Sequence, residues 1–425
     1  MMEMKKYKIK DFAKTGSGGT PTSSRKEFYE GGTIPWINSG ELSQSFITGT
    51  SNYITELGYN SSSAKMFPKD DTVLLAMYGA TAGKASLLRI DACTNQAICA
   101  IMPDKTIADP LYLKYQLDTM YDYLVRLSSG SARDNLSQAG IANLEISLPP
   151  LPEQKRIASI LSALDNKIAL NRQINQNLEA LARQLYDYWF VQFDFPDANG
   201  KPYKSSGGKM VYNPILKREI PEGWEGVVLR DVIQHINTGL NPRDNFTFGG
   251  EIKYITVKNL TKDGYIDFSS CDTIDEDARC KVHTRSQIEV GDILYASICP
   301  LGRTYLITEE PNDWDINESV FSIRPNYKKI TSEYLNMLLK DDYYIAKLSN
   351  SSTGSIFLGI RIKQLESTQI LLPSYNILSA FTKQIKDIVR LQANNYQQIL
   401  SLTKQRDELL PLLMNGQVNF DLSDD

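Results

Sequence analysis

Ile34-Pro35-Trp36-Ile37-Asn38-Ser39-Gly40-Glu41-Leu42 returns further along the chain as Ile252-Lys253-Tyr254-Ile255-Thr256-Val257-Lys258-Asn259-Leu260. Thr94-Asn95-Gln96-Ala97-Ile98-Cys99-Ala100-Ile101-Met102-Pro103 likewise returns as Ile316-Asn317-Glu318-Ser319-Val320-Phe321-Ser322-Ile323-Arg324-Pro325. Each copy ends in Leu-Pro (Leu148-Pro149, Leu372-Pro373) and then enters a long segment with heptad spacing. A period near half the chain is not a solenoid array, which stacks a short unit many times. It is a duplicated domain-plus-helix unit. Such a chain presents two similar but non-identical surfaces about an approximate two-fold axis, a shape suited to a two-part, asymmetric target.

The fold class that follows is α+β. Two similar mixed α/β domains are each followed by a long helix, and the two helices pair as an antiparallel coiled coil. Residues 1–149 form the first domain, 150–190 the first long helix and 191–222 a linker. Residues 223–373 form the second domain, 374–415 the second long helix and 416–425 a C-terminal tail. Within the domains, short apolar runs such as Thr72–Met77, Ala97–Ile101 and Asp292–Ala296 read as strands. Asp109-Pro110 opens a helix over 109–117, with proline in the first turn, and Ser332–Leu339 is its equivalent. Pro196–Pro202 and Ser205–Lys209 are turn-rich and polar, hence the linker.

The heptad segments carry the helix pairing. In the first, Leu161, Ile168, Asn175, Ala182 and Trp189 occupy one seam position, and Ile157, Leu164, Asn171, Leu178 and Leu185 the other. In the second, the series are Leu378, Ile385, Gln392, Ile399, Arg406, Leu413 and Phe381, Ile388, Asn395, Leu402, Leu409. Polar seam residues sit mid-segment in both, so an antiparallel pair brings the polar layers together and fixes register. At ~1.5 Å per residue the first helix is roughly 60 Å long. The alternative is that each amphipathic helix simply covers its own domain.

Bulk properties set limits. The 425 residues are 42% hydrophobic, ample for two cores. No apolar run approaches the ~18 residues that span a bilayer, and the charged N-terminus has no signal-peptide pattern. Five cysteines (Cys93, Cys99, Cys271, Cys280, Cys299) read as reduced core residues of a cytoplasmic protein. The net charge of −4 does not advertise nucleic-acid binding, but a basic patch belongs to a surface and not to a sum.

Catalytic chemistry is hard to find. Gly79–Ser86 fails as a phosphate loop: three residues separate its glycines, and Ala85 rather than Ser or Thr follows Lys84. It is a glycine-rich turn, or one that offers backbone N–H groups and a lysine to a DNA phosphate. Its counterpart Cys299-Pro300-Leu301-Gly302-Arg303 again puts a cation after glycine. His235 and His283 are the only histidines, too few for a histidine cluster, and Cys271, Cys280 and His283 make an incomplete zinc set. There is no dinucleotide fingerprint, no Asn-Pro-Pro-aromatic or Asp-Pro-Pro-aromatic motif and no nuclease carboxylate cluster. The candidate DNA-contacting residues are Arg25, Lys26, Lys84, Arg133, Asn135, Arg243, Lys258, Arg303, Ser355 and Arg361, because Arg, Lys and Asn carry most base-edge and phosphate contacts. Each also reads as a solvated surface residue. The divergent loops Ser129–Asn135 and Ser351–Ile356 are where two DNA readings would differ.

Gly18-Gly19-Thr20-Pro21, Gly31–Ile37, Leu74–Thr81, Leu148-Pro149-Pro150-Leu151-Pro152-Glu153-Gln154, and the stretch Tyr188–Pro196 through Lys217–Trp224 together resemble the specificity subunit of type I restriction–modification enzymes. The resemblance covers nearly the whole chain. It implies two target-recognition domains, each reading one half of a split site in double-stranded DNA, with the helices as a ruler. It implies two methyltransferase subunits and motor–nuclease restriction subunits as partners. S-adenosylmethionine, ATP and Mg would belong to those partners, leaving this chain without cofactor, metal or catalytic residue. The second helix departs from the pattern: it opens Pro373-Ser374-Tyr375-Asn376 without the Pro-Glu-Gln of the first, which leaves equal strength of the two docking sites open. The competing readings are a two-domain coiled-coil scaffold binding protein or glycan, and a stand-alone methyltransferase.

Overall fold

The structure, a computed structural model, describes residues 4–129, 136–241, 246–298, 300–351 and 359–417. The chain forms two compact units, residues 1–170 with 399–425, and residues 171–398. Each long helix, Leu151–Tyr186 and Tyr375–Met414, therefore contributes one part to each unit. No helix among the described residues is long and apolar enough to cross a membrane.

In the first unit a five-stranded sheet has the order Ala13–Ser17, Ile98–Pro103, Val73–Ala76, Ala85–Leu88, Phe46–Ile47, antiparallel except for the last pair. A four-stranded sheet has the order Tyr53–Ile54, Ile34–Ile37, Ala92–Thr94, Met66–Phe67, its central pair parallel. Lys5–Lys8 pairs with Glu145–Leu148, so entry to the domain and exit toward the long helix share one ribbon. The apolar runs read as strands are buried on both faces. Side chains of a strand alternate: Val73 and Leu75 enter a core with Ile101, Tyr112 and Leu113, while Leu74 and Ala76 enter another with Ile37, Leu42 and Ile98.

The second unit repeats this arrangement. Its main sheet has the order Ile233–Thr238, Val320–Pro325, Ile293–Ala296, Thr304–Leu306, all antiparallel. Ile252–Ile255 lies between Asp272–Ile274 and a parallel neighbour, Trp314–Ile316, and Glu225–Val228 pairs with Gln369–Leu372. The alternation recurs too, with Ile293 and Tyr295 on one core and Leu294 and Ala296 on another.

The stretch 191–222, expected to be a linker, is folded into the second unit. The first long helix ends in a π-helical turn, Asp187–Val191, that buries Trp189 and Phe190. Phe193, Phe195, Leu216 and Ile220 then enter the same core. Phe195 stacks between Trp224 and Tyr203, at centroid distances of 4.9 and 4.7 Å. Asp194 accepts from Ser205 N and Oγ at 2.7 and 2.6 Å, and Met210–Asn213 pairs with Arg218–Pro221. The turn residues set the local path, but the interleaved aromatics bury enough apolar area to hold the segment down.

Asp109 caps the helix Pro110–Thr119, accepting from Leu111 N and Tyr112 N at 3.0 Å. Gln154 ties the start of the first long helix to it. Gln154 is fully buried, donates to Pro149 O at 2.8 Å and Ile107 O at 3.0 Å, and accepts from Asp109 N at 2.9 Å. Its counterpart in the second copy is Leu378, buried and apolar. Gln154→Ala strands three backbone groups, so the first unit is expected to lose about 1–3 kcal/mol. A fall in the urea midpoint checks this; an unchanged midpoint would mean that water replaces the amide.

Every seam position is buried or half-buried. In the first series this covers Ile157, Leu161, Leu164, Ile168, Asn171, Asn175, Leu178 and Leu185, and in the second Phe381, Ile385, Ile388, Gln392, Asn395, Ile399, Leu402 and Leu409. The cysteine expectation needs correcting: Cys93 and Cys99 are buried and Cys271 half-buried, but Cys280 is exposed on the helix Glu276–Ser286. Cys299 lies outside the described residues. Burial pushes the Cys93 thiol up to about 11 and the Cys99 and Cys271 thiols to about 12.

Candidate nucleic-acid interface

At one end of the first unit's sheets, four loops converge. Gly18 passes so close to the next strand that a Cβ there would meet Thr94 O at 1.9 Å, so only glycine fits. Trp36 Nε1 donates to Gly19 O at 3.0 Å and Tyr29 OH to Pro21 O at 2.6 Å, pinning the Gly-Gly-Thr-Pro loop. Asn95 N donates to Ile37 O, and Asn95 Oδ1 accepts from Ala97 N at 3.1 Å, a turn with Gln96 at its tip. Thr20 Oγ1 donates to Gln96 Oε1 at 2.5 Å. Met77 N donates to Ala97 O, and Thr81 Oγ1 to Ser39 O at 2.7 Å, which adds the Gly79–Lys84 turn and the Asn38–Glu41 loop.

The second unit builds the same frame from different side chains. A Cβ at Gly239 would meet Ile316 O at 1.7 Å. Tyr254, standing where Trp36 stands, donates its hydroxyl to Leu240 O. Asn317 N donates to Ile255 O, and Asn317 Oδ1 accepts from Ser319 N at 3.0 Å. Glu318 occupies the tip and accepts from Asn241 Nδ2 at 2.7 Å.

The sequence-derived candidates fall unevenly on these frames. Lys84 is exposed with its ammonium 4.0 Å from the Tyr121 ring centroid. Gly83 before it has φ +81, and a Cβ there would crowd Val125 and Leu124. Gly302 repeats this with φ +81 and a Cβ contact on Ile345, so the glycine of both turns is a backbone and packing requirement. Arg303 is half-buried, donates to Leu260 O at 3.2 Å, and props one loop on another. Lys258 is exposed on that propped loop. Arg361 is exposed and joins the same end through Ile360 N, which donates to Ser297 O. Arg25 and Lys26 are exposed on a turn beside the helix Glu56–Asn60; Arg25 pairs with Glu27 at 3.6 Å and lies over Phe28. Arg133, Asn135, Arg243 and Ser355 lie outside the described residues, as do most of the loops Ser129–Asn135 and Ser351–Ile356. His283 Nδ1 lies 3.1 Å from Asp315 Oδ2, and no described group of three His, Cys, Asp or Glu is arranged for a metal. Sequence reasoning missed Thr20, Gln96, Asn241 and Glu318, although Asn95 and Asn317 are identical in the two copies and the residue after each changes from amide to carboxylate.

The long helices carry a second polar system. In the second unit Asn171 donates to Gln398 at 3.2 Å, Asn175 to Gln392 O at 3.2 Å, Asn395 to Asn175 Oδ1 at 3.0 Å, and Gln392 to Glu179 at 3.2 Å. As residue number rises on one helix it falls on the other. In the first unit, buried Asp165 accepts from Tyr115 OH at 2.8 Å and Arg406 Nη1 at 2.9 Å, with the Lys114 ammonium at 3.6 Å. Lys114, also buried, pairs with Asp118 at 2.8 Å. Burial pushes the Asp165 carboxyl up, but Lys114, Arg406 and Tyr115 outweigh it and hold it below the ordinary value. The equivalents of Lys114, Tyr115, Asp165 and Arg406 in the second copy are Asn336, Met337, Val389 and Ala182, so the matching junction lacks this cluster; Lys340, at the position of Asp118, pairs instead with Glu179 at 3.1 Å.

Comparison with known proteins agrees with the repeat. Residues 1–180 and 221–409 match the type I restriction modification DNA specificity domain. The type I restriction enzyme MjaIX specificity subunit of Methanocaldococcus jannaschii is 30% identical over 97% of this chain and 92% of its own length. The HindI specificity subunit of Haemophilus influenzae is 24% identical over 75% of this chain and 79% of its own. The crystal structure of the type I restriction-modification S subunit from M. genitalium superposes with a TM-score of 0.60 at 16% identity, covering 97% of this chain and 96% of that one, a likeness of fold. The two frames, the two long helices and the two matched segments lead to one assignment: the chain belongs to the family of type I restriction–modification specificity subunits.

Proposed function

We propose that this chain is the non-catalytic part of its enzyme and that each domain reads one half of a bipartite, asymmetric site in double-stranded DNA. The observation that carries the reading is one loop frame built twice with different side chains at its tip, Gln96 in one copy and Glu318 in the other. A shared frame suits a shared task, and different tips suit different half-sites. The long helices pair as an antiparallel coiled coil, set the distance between half-sites and dock two methyltransferase subunits. The buried seam and the opposed numbering of the Asn171–Gln398 and Asn175–Asn395 contacts support the pairing. Motor–nuclease subunits complete the enzyme, and S-adenosylmethionine, ATP and Mg are bound by the partners.

Two measurements test this. Methylome sequencing of a host carrying the chain with its partners should return a split, non-palindromic site. Duplex-DNA binding should weaken steeply with salt, by roughly a thousandfold between 50 and 200 mM if six or more phosphates are contacted. A flat salt response with binding to a protein or glycan instead would favour the scaffold reading.

A further inference from the structure

Gln96 and Glu318 hold the same position in the two frames. Each follows an asparagine that bends the turn, and each is gripped by a side chain two residues beyond a glycine without room for a Cβ. The grip fixes a rotamer and leaves hydrogen-bonding capacity unspent. Gln96 is exposed; Oε1 accepts from Thr20, which leaves a second lone pair and both Nε2 hydrogens. Glu318 is half-buried; Oε1 accepts from Asn241 and keeps a second lone pair, while Oε2 is buried without a partner among the described residues. A carboxylate is a poor choice near phosphates unless a donor compensates it, and an unsatisfied carboxylate oxygen calls for one.

We propose that Gln96 and Glu318 are corresponding base-reading positions for the two half-sites, Gln96 addressing adenine and Glu318 cytosine. The amide matches the N6 donor and N7 acceptor of adenine in the major groove. The carboxylate matches the N4 amino group of cytosine, which only donates there. Thr20 and Asn241 are positioning residues that set the angle of each tip. The inference rests on the DNA reading proposed above and assigns it to two side chains.

The test is selection from a library of random duplex DNA by the full chain, produced with the methyltransferase subunits. The wild type, Gln96→Glu, Glu318→Gln and Gln96→Ala are compared. Gln96→Glu should shift one position of one half-site from adenine to cytosine, and Glu318→Gln should make the reverse shift in the other, each by roughly ten- to a hundredfold. The untouched half-site reports in each case that the protein is folded. Gln96→Ala should flatten preference at the same position, and it carries the test if the glutamate variant fails to fold. A wild-type motif retained unchanged by all three variants would overturn the assignment. So would loss of both half-sites in a variant with an unaltered thermal transition, since the tips would then be merely structural. If the wild type enriches no split motif, the DNA reading itself falls, and the assignment with it.

Discussion

Asp165→Ala is expected to lower the stability of the first unit by about 3–5 kcal/mol, because it removes one of the two carboxylates beside the buried Lys114 ammonium, leaving Asp118 alone, and uncovers the buried side of Arg406. The Tyr115 hydroxyl loses its partner in the same step, and Arg406 keeps only Asp407. The molecule also holds the control for this experiment. The second copy fills the equivalent positions with Asn336, Met337, Val389 and Ala182. Transplanting that set as Lys114→Asn, Tyr115→Met, Asp165→Val and Arg406→Ala should recover part of the loss, since buried ion pairs are often replaceable by well-packed apolar groups and Asp118 alone is left without its lysine. Hydrogen exchange of the amides in Val73–Ala76 and Ile98–Pro103 in urea reads the first unit alone. If the single variant is as stable as the wild type, Lys114 must be satisfied by Asp118 by itself. If the fourfold variant is no better than the single, the two junctions are not interchangeable.

Deleting one heptad from a long helix, for instance residues 172–178, is expected to change the spacer accepted between half-sites or to abolish recognition of the original site. Seven residues amount to about 10 Å of helix, or about three base pairs at 3.4 Å each. The deletion preserves the heptad phase, but it removes Asn175 and offsets the polar contacts to Gln392 and Asn395. Site determination on the deleted chain gives the answer. Undiminished recognition of the original spacer would end the idea that the helices measure distance.

The architecture was legible because duplication prints itself in the chain. Ile34–Leu42 and Ile252–Leu260 predict equivalent frames, and the heptads predict a seam whose positions are indeed buried or half-buried. The stretch 191–222 misled because turn residues dominate its composition, while Phe193 and Phe195 decide its fate. The support that Arg303 gives to Leu260 O was not legible, because no local pattern says that the two lie together. Asp165 and Lys114 were invisible for a related reason. Neither sits on the seam, and the charges that make them tolerable come from residues 51 and 241 positions away from each other's partners in sequence, Lys114 to Asp165 and Asp165 to Arg406. At the tips, Gln96 and Glu318 stand inside the repeat itself, but the grip of Thr20 and Asn241 on them needs three dimensions.

The division of the chain has a consequence for the order in which it is made. Residues 171–398 are one continuous stretch, whereas the first unit draws on the end of the second long helix, with Leu413 and Met414 in its core and Arg406 beside Asp165. Ribosomal synthesis usually lets the N-terminal domain finish first. Here the later domain can close while the earlier one waits for the last helical turns to emerge. A nascent chain stopped short of Ile399 should thus carry a protease-resistant second unit and a first unit still open at Lys114, a natural window for a partner or chaperone to act before the protein is complete.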